Sequence, residues 1–168
     1  MVIAPDTKDW TWVVERRCPE CGFDPAVVDP AEVAAAMVAR WRAVLARPGA
    51  RDRPDDATWS DLEYACHVRD VLTLFAERLR LIRTEDDPLF ANWDQDATAV
   101  DDHYAAQVPA VVAGELAPAA AAFDAELAAV TDWNRPGRRS NGSAFTAATL
   151  TTYALHDLHH HLEFDARG

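Results

Sequence analysis

The segment from Ser60 to Arg83 constrains the fold of this chain more than any other. Ser60 followed by Glu63 is a capping box, in which each side chain satisfies the other's backbone N–H at a helix start. Tyr64, Val68, Val71, Leu72, Phe75, Leu79 and Ile82 then recur at helical spacing, while Arg69, Glu77, Arg80 and Arg83 fall on the other side. Such a long amphipathic helix cannot stand alone in water, because its apolar stripe must be covered by other elements.

The rest of the chain supplies helices to cover it. Asp29-Pro30-Ala31-Glu32 is a second start signal, with an N-cap acceptor, proline at the first helical position and an acid in the first turn. Val33, Met37, Trp41, Val44 and Leu45 follow at helical spacing until Pro48-Gly49. From about Ala97 to Val130 the apolar positions are Tyr104, Val108, Val111, Val112, Leu116, Phe123, Leu127 and Val130. Pro109 and Pro118 interrupt this stretch and predict either one kinked helix or two in series. Turn chemistry (Pro136, Gly137, Asn141, Gly142) predicts a loop over 132–142, and a last helix runs from about Ser143 to Phe164. No strand-like alternation of useful length occurs. The expectation is an all-α four-helix bundle over residues 29–168, one domain, preceded by an arm over residues 1–28 that Trp10 and Trp12 anchor.

Composition narrows the partners. A chain of 168 residues is long enough to bury roughly 68–70% of its unfolded surface without disulfides or a metal. The formal net charge of −12 argues against nucleic acid and anionic membrane, and the basic group Arg135, Arg138 and Arg139 is too small to reverse that. No apolar run is long enough to cross a bilayer. The N-terminal Met1-Val2-Ile3-Ala4-Pro5-Asp6-Thr7-Lys8-Asp9 lacks the charged-then-apolar order of a signal peptide, so a cytoplasmic protein with reduced thiols is expected. Alanine is abundant, and Lys8 is the one lysine among 16 basic residues, a usage that suggests a high-GC bacterial genome.

Five of the six histidines lie in two places, His67 and the run His156-Asp157-Leu158-His159-His160-His161, and both places read as helix. Imidazoles four residues apart on a helix share a face and can bridge one divalent metal; a third from another helix completes a three-histidine site with an open position. At about 100° per residue, His160 lies about 40° from His156, Glu163 about 20° on the other side and His159 about 60° away, while His161 points nearly opposite. His156 and His160 are therefore the favoured pair and His159 the fallback, with His161 a bystander. Tyr64, Tyr153 and Glu163 are close to these ligands in phase and stand as candidate catalytic helpers. Asp157 is a candidate hydrogen-bond partner for a ligand histidine.

The helix-borne histidine in Trp59-Ser60-Asp61-Leu62-Glu63-Tyr64-Ala65-Cys66-His67-Val68-Arg69-Asp70, a His-x-x-x-His pair about ninety residues later, and Asn141-Gly142-Ser143-Ala144-Phe145-Thr146 before it resemble the DinB/YfiT-like superfamily. The resemblance covers roughly Asp29 to Phe164. It implies an up-down-down-up four-helix bundle and a divalent metal, zinc or nickel, held at the positions of His67, His156 and His160. Members it is similar to include transferases and isomerases that use mycothiol or bacillithiol. In the mycothiol-dependent maleylpyruvate isomerase a carboxylate replaces one histidine, whereas this sequence offers three. The implied activity is a metal-dependent low-molecular-weight-thiol S-transferase or a related enzyme. Its partners would be a small-molecule thiol and an electrophilic substrate, and an exposed bundle face would serve a homodimer.

Cys18-Pro19-Glu20-Cys21-Gly22 is a second signal, half of a zinc-ribbon site with no second C-x-x-C to complete it. Cys66 stands alone in a helix. The knuckle reads as two free thiols in a loop, a redox pair, or thiolate ligands completed by histidines, which makes Cys18, Cys21 and His159 additional candidate ligands. Two other functions compete with the enzyme: a non-catalytic metal-binding or stress-response module with a structural metal, and a metal-free helical scaffold.

Overall fold

The computed structural model describes Ile3, residues 9–27 and residues 30–166, the side chains of residues 30–35 excepted. The expected cap at Asp29, the side chain of Val33 and most of the N-terminal nine residues lie outside the described residues. Among the described residues five α-helices carry the fold: α1 (Pro30–Leu45), α2 (Asp61–Thr84), α3 (Gln95–Asp101), α4 (Pro109–Ala128) and α5 (Ala147–His160). No helix among the described residues is long and apolar enough to cross a membrane.

The capping box opens α2 as expected: the Ser60 hydroxyl accepts from the Glu63 backbone N–H, and the Glu63 carboxylate accepts from the Ser60 N–H at 2.9 Å. Caps of this kind contribute about 1 kcal/mol. Val68, Val71, Leu72, Phe75, Leu79 and Ile82 are all buried, so the stripe faces the core along the whole helix. α2 packs chiefly on α4 and then on α5, and α1 lies against α4. Trp41, Tyr104, Leu116, Phe123, Leu150, Leu155 and Leu158 fill the space between them.

Of the two expectations for the third stretch, two helices in series is the outcome. α3 ends at Asp101, Tyr104–Ala106 forms a single 3₁₀ turn, and Pro109 starts α4, where its missing N–H costs nothing. Pro118 lies inside α4. Val108 and Val111 face solvent, because the buried stripe of α4 is Val112, Leu116, Ala120, Phe123 and Leu127.

The all-α expectation is corrected by a small three-stranded sheet, β1 (Leu89–Phe90), β2 (Pro136–Arg139) and β3 (Ala144–Thr146), in the order β1-β2-β3. β1 pairs parallel with β2, and β2 pairs antiparallel with β3. The loop expected over 132–142 thus contains a strand, and α5 begins at Ala147 rather than near Ser143. Thr146, the last residue of β3, caps α5 by accepting from the Thr149 N–H. Tertiary packing explains the strand: a Cβ on Gly137 would stand 2.6 Å from Ile82 Cγ1, so the bare glycine lets β2 lie directly on α2.

α5 ends in a π turn over His161–Asp165, closed by the Ala166 N–H donating to the His161 carbonyl at 2.9 Å. Single π turns of this kind occur frequently at functional sites. The N-terminal segment packs on α5 through a 3₁₀ turn, Thr11–Val14.

Candidate metal centres

α5 carries its polar ligands in two interleaved pairs. His156 and His160 are four residues apart, and Asp157 and His161 are four apart one step later, about 100° round the helix. Each pair meets a different part of the molecule.

Asp157 and His161 turn toward α2, where they meet His67. Ligand atoms of the three lie within 4.8 Å of one another. Asp157 Oδ1 is 3.1 Å from His67 Nε2 and 3.6 Å from His161 Nε2. Donors bonded to one zinc-type ion at about 2.0–2.2 Å stand about 3.3–3.6 Å apart, so this set fits a single metal with little movement. His67 is fully buried, its ring parallel to Trp93 at 5.3 Å between centroids. His161 Nδ1 lies 2.7 Å from Asp165 Oδ2. A carboxylate there favours the tautomer with hydrogen on Nδ1, leaving the Nε2 lone pair for a metal. The π turn brings Asp165 to this position. Burial works to raise the Asp157 carboxyl, but the His67 imidazole, by charge and hydrogen bond, holds it down to about 2. Asp157 is therefore an anionic donor at neutral pH.

This cluster sits at the edge of a cavity of about 750 Å³ whose lining includes Trp59, Tyr64, Trp93, Tyr153, Asp157 and His161. His156 and His160 border the same cavity. In the cluster with His67, however, three protein donors leave one side, at Asp157 and His161, toward open space. That is the arrangement of catalytic zinc sites, which keep a position for water or substrate. Another part of the lining carries Arg78 and Arg139. Arg78 is buried, and burial together with the neighbouring Arg139 pushes its guanidinium down to about 10. The Nε atoms of both arginines are buried without a hydrogen-bond partner, and among the described residues no carboxylate lies within ion-pair distance of either.

The second pair faces the N-terminal segment. Cys18, Cys21, His156 and His160 also bring one ligand atom each within 4.8 Å of one another. Cys18 Sγ lies 4.0 Å from His160 Nδ1, while His160 Nε2 points the other way, 3.6 Å from Glu20 and 3.7 Å from Asp165. Burial, then the neighbouring His160, pushes the His156 imidazole down to about 4, so it stays neutral with a free lone pair. Its Nε2 is buried without a hydrogen-bond partner. The cysteines are free thiols, and burial pushes Cys21 up to about 12.

The expected grouping of His67 with His156 and His160 is thus divided between two clusters. His67 belongs with Asp157, expected only as a supporting partner, and with His161, expected as a bystander. His156 and His160 belong with the cysteines. His159 joins neither cluster; its Nε2 lies 3.2 Å from the Cys21 carbonyl oxygen. Tyr64 lines the cavity with its ring 5.0 Å from that of His161, and burial with Asp165 nearby raises its phenol, which stays protonated. Tyr153 also lines the cavity, between Phe75 and Phe145, with the Arg139 guanidinium over its ring. Glu163 does not line this cavity and is ion-paired with Arg40. Sequence reasoning missed Arg78, Arg139, Trp93 and Asp165. The signal for the first cluster was present as Asp157-x-x-x-His161, an i, i+4 ligand pair one residue out of phase with the pair chosen.

The DinB superfamily model matches residues 45–164. Among solved structures the chain is similar to YfiT from Bacillus subtilis, described as a probable metal-dependent hydrolase with an unusual four-helix bundle topology. That match has 20% sequence identity and a TM-score of 0.70, and it covers 80% of this chain and 81% of that one. At that identity the likeness establishes the fold, a helical bundle of the YfiT type. No curated protein matches the chain. With most of its length, including α2, α4 and α5, inside the matched region, the chain belongs to the DinB superfamily.

Proposed function

We propose that this protein is a divalent-metal-dependent enzyme that transfers a low-molecular-weight thiol of the mycothiol type to a small anionic electrophile. In this reading the bundle runs up-down-down-up over residues 29–168, and His67, Asp157 and His161 hold the metal, zinc or nickel. The observation that carries the proposal is the three-donor cluster beside the cavity. Its composition, two histidines and one carboxylate, is the departure from three histidines that the resemblance associates with a mycothiol-dependent isomerase. A metal at such a site lowers the pKa of a thiol bound to it and supplies a thiolate near neutral pH.

The chain's own residues would do the rest. Asp165 orients His161 through Nδ1. Trp93 and Trp59 pack against His67 and exclude water from one side of it. Tyr64, held protonated beside His161 and hydrogen-bonded to Asp165, helps to fix the carboxylate that orients His161. Arg78 and Arg139 have donors to spare, and one buried and one half-buried guanidinium beside one cavity favour an anion there, a carboxylate on the substrate or on the thiol itself.

Calorimetric titration of the metal-loaded protein with mycothiol-type thiols tests this reading. Binding to the wild type and none to His161→Ala is expected. Absence of binding to the wild type, or equal binding to the variant, overturns the thiol reading. A second reading, hydrolysis by metal-activated water, is favoured by the same donor set, since two histidines and a carboxylate also serve zinc hydrolases. Turnover of esters or amides without added thiol would select it.

A further inference from the structure

We propose that Cys18, Cys21, His156 and His160 form a second metal site, a closed tetrahedral zinc site that fastens the N-terminal segment to α5. It shares no ligand with the cluster at His67.

The donor set is complete within the chain. Cys₂His₂ is a standard composition of structural zinc, and it fills every tetrahedral position with protein. Two thiolates neutralise the ion's charge and two neutral imidazoles add none, so the assembled site is uncharged and suits a buried position. Four donors around one zinc, with bonds of about 2.3 Å to sulfur and 2.0–2.1 Å to nitrogen, stand about 3.3–3.8 Å apart. The observed set lies within 4.8 Å, with 4.0 Å between Cys18 Sγ and His160 Nδ1, so small rotations of the side chains close it.

The surroundings are those of a built site. The knuckle turn is formed: the Gly22 N–H donates to the Cys18 carbonyl at 3.0 Å, and the Cys18 N–H donates to the Phe23 carbonyl at 2.8 Å. Gly22 makes this turn at φ +77°, a conformation that favours glycine. Cys18 is fully buried and His156 is nearly so. The orphaned His156 Nε2 is costly in a buried place, and a metal in the cluster gives this imidazole a partner. His160 presents Nδ1 to Cys18 and keeps Nε2 near the carboxylates of Glu20 and Asp165, the arrangement that raises the basicity of a ligand histidine. His159 and the Cys21 carbonyl add a further tie between α5 and the knuckle.

The site also shapes the cavity. Trp10, eight residues before Cys18, packs on both His156 and His160 with ring centroids 5.4 and 5.1 Å away, and it lines the cavity. Fastening the knuckle therefore holds one side of the cavity in place.

Zinc reconstitution of the untagged full chain tests the proposal. Elemental analysis is expected to give two equivalents for the wild type and one for Cys18→Ser/Cys21→Ser. His161→Ala is expected to lose the other equivalent instead. Because the double variant risks misfolding, thiol alkylation of the wild type provides a second reading. Zinc-loaded protein is expected to protect Cys18 and Cys21, and removal of zinc by a chelator to expose at least the half-buried Cys21, with mass spectrometry locating the label. Cobalt in place of zinc is expected to give a thiolate charge-transfer band that survives in His161→Ala and vanishes in the cysteine variant. A single equivalent in the wild type that only His161→Ala removes, or Cys21 alkylated equally fast with and without zinc, overturns the second site while leaving the first intact. Loss of the His161-dependent equivalent alone would sink the cavity site and spare this one.

Discussion

Two neighbouring faces of α5 carry clusters built from similar donors to opposite ends. Asp157 and His161 meet the buried His67 from α2 and themselves line a cavity of about 750 Å³, so the three-donor set has an open side. His156 and His160 border the same cavity, but they meet two cysteines from the N-terminal segment and Trp10 packs on both. A metal at the first would be held by elements that already pack together through an apolar core, whereas at the second it would join a short segment that has little core of its own. The contrast teaches that ligand type alone does not decide whether a site serves chemistry or architecture. What decides is whether the fourth position goes to solvent or to the chain.

Metal removal should break the comparison most visibly. A ligand that binds only the folded state stabilises it by about 4 kcal/mol at a thousandfold excess over its Kd. For a chain of this size that corresponds to a rise on the order of 10 °C in Tm. Chelation of the zinc-loaded protein is expected to lower Tm by that amount, and most of the fall should be absent in His156→Ala, which begins without the closed site. A chelation shift of equal size in wild type and His156→Ala, measured by calorimetry, would mean that the open cluster carries the stability instead.

The next effect falls on activity alone. His161→Ala removes one of three donors at the cavity and is expected to lower turnover at least 100-fold while shifting Tm by only a few degrees. His161 is partly exposed, so truncating it leaves no large internal void. Turnover within tenfold of wild type would move the chemistry away from this cluster.

A smaller effect is expected at the arginines. Arg78→Met keeps most of the buried volume and removes the charge. Hydrogen bonds to charged groups contribute about 1.5–3 kcal/mol, so KM for an anionic substrate should rise about 10- to 100-fold with kcat little changed. An unchanged KM would remove the anion subsite from the proposal.

Much of this architecture could be read from residue pattern, and the limits have physical causes. The box at Ser60 and Glu63, the stripe from Val68 to Ile82 and the interruption at Pro109 are local signals, and local signals survive into the fold. β2 is different, because Pro136-Gly137 is poor strand sequence and its place depends on Gly137 fitting against Ile82 from another element. The site divided in the same way. The residue types of both clusters were legible, as was the C-x-x-C knuckle. Helical phase, however, gives only the angles between residues of one helix and not which neighbour each face meets. His161, judged a bystander for lying opposite His156, is opposite because it faces α2. Arg78 carried no sequence signal and Arg139 showed only as part of a small basic group, since an arginine's place beside a cavity is set by tertiary packing.

The smallest expected effect bears on whether the two clusters are separate at all. Asp165 Oδ2 lies 2.7 Å from His161 Nδ1 and 3.7 Å from His160 Nε2, so one carboxylate lies between a ligand of each cluster. Supporting carboxylates of this kind typically contribute 10- to 100-fold in metal affinity. Asp165→Asn keeps an oxygen that can accept from His161 Nδ1, which places its effect near the lower end, about 10-fold at the open cluster. At the closed cluster the longer contact and the presence of Glu20 predict a weaker response, within about threefold. Competition with a chromophoric chelator, run in the Cys18→Ser/Cys21→Ser and His161→Ala backgrounds, reads the two affinities one at a time. Equal losses at both clusters would make Asp165 a true bridge, and metal binding at one site would then be coupled to binding at the other. A loss at the open cluster alone would leave the two faces of α5 as independent devices on one helix.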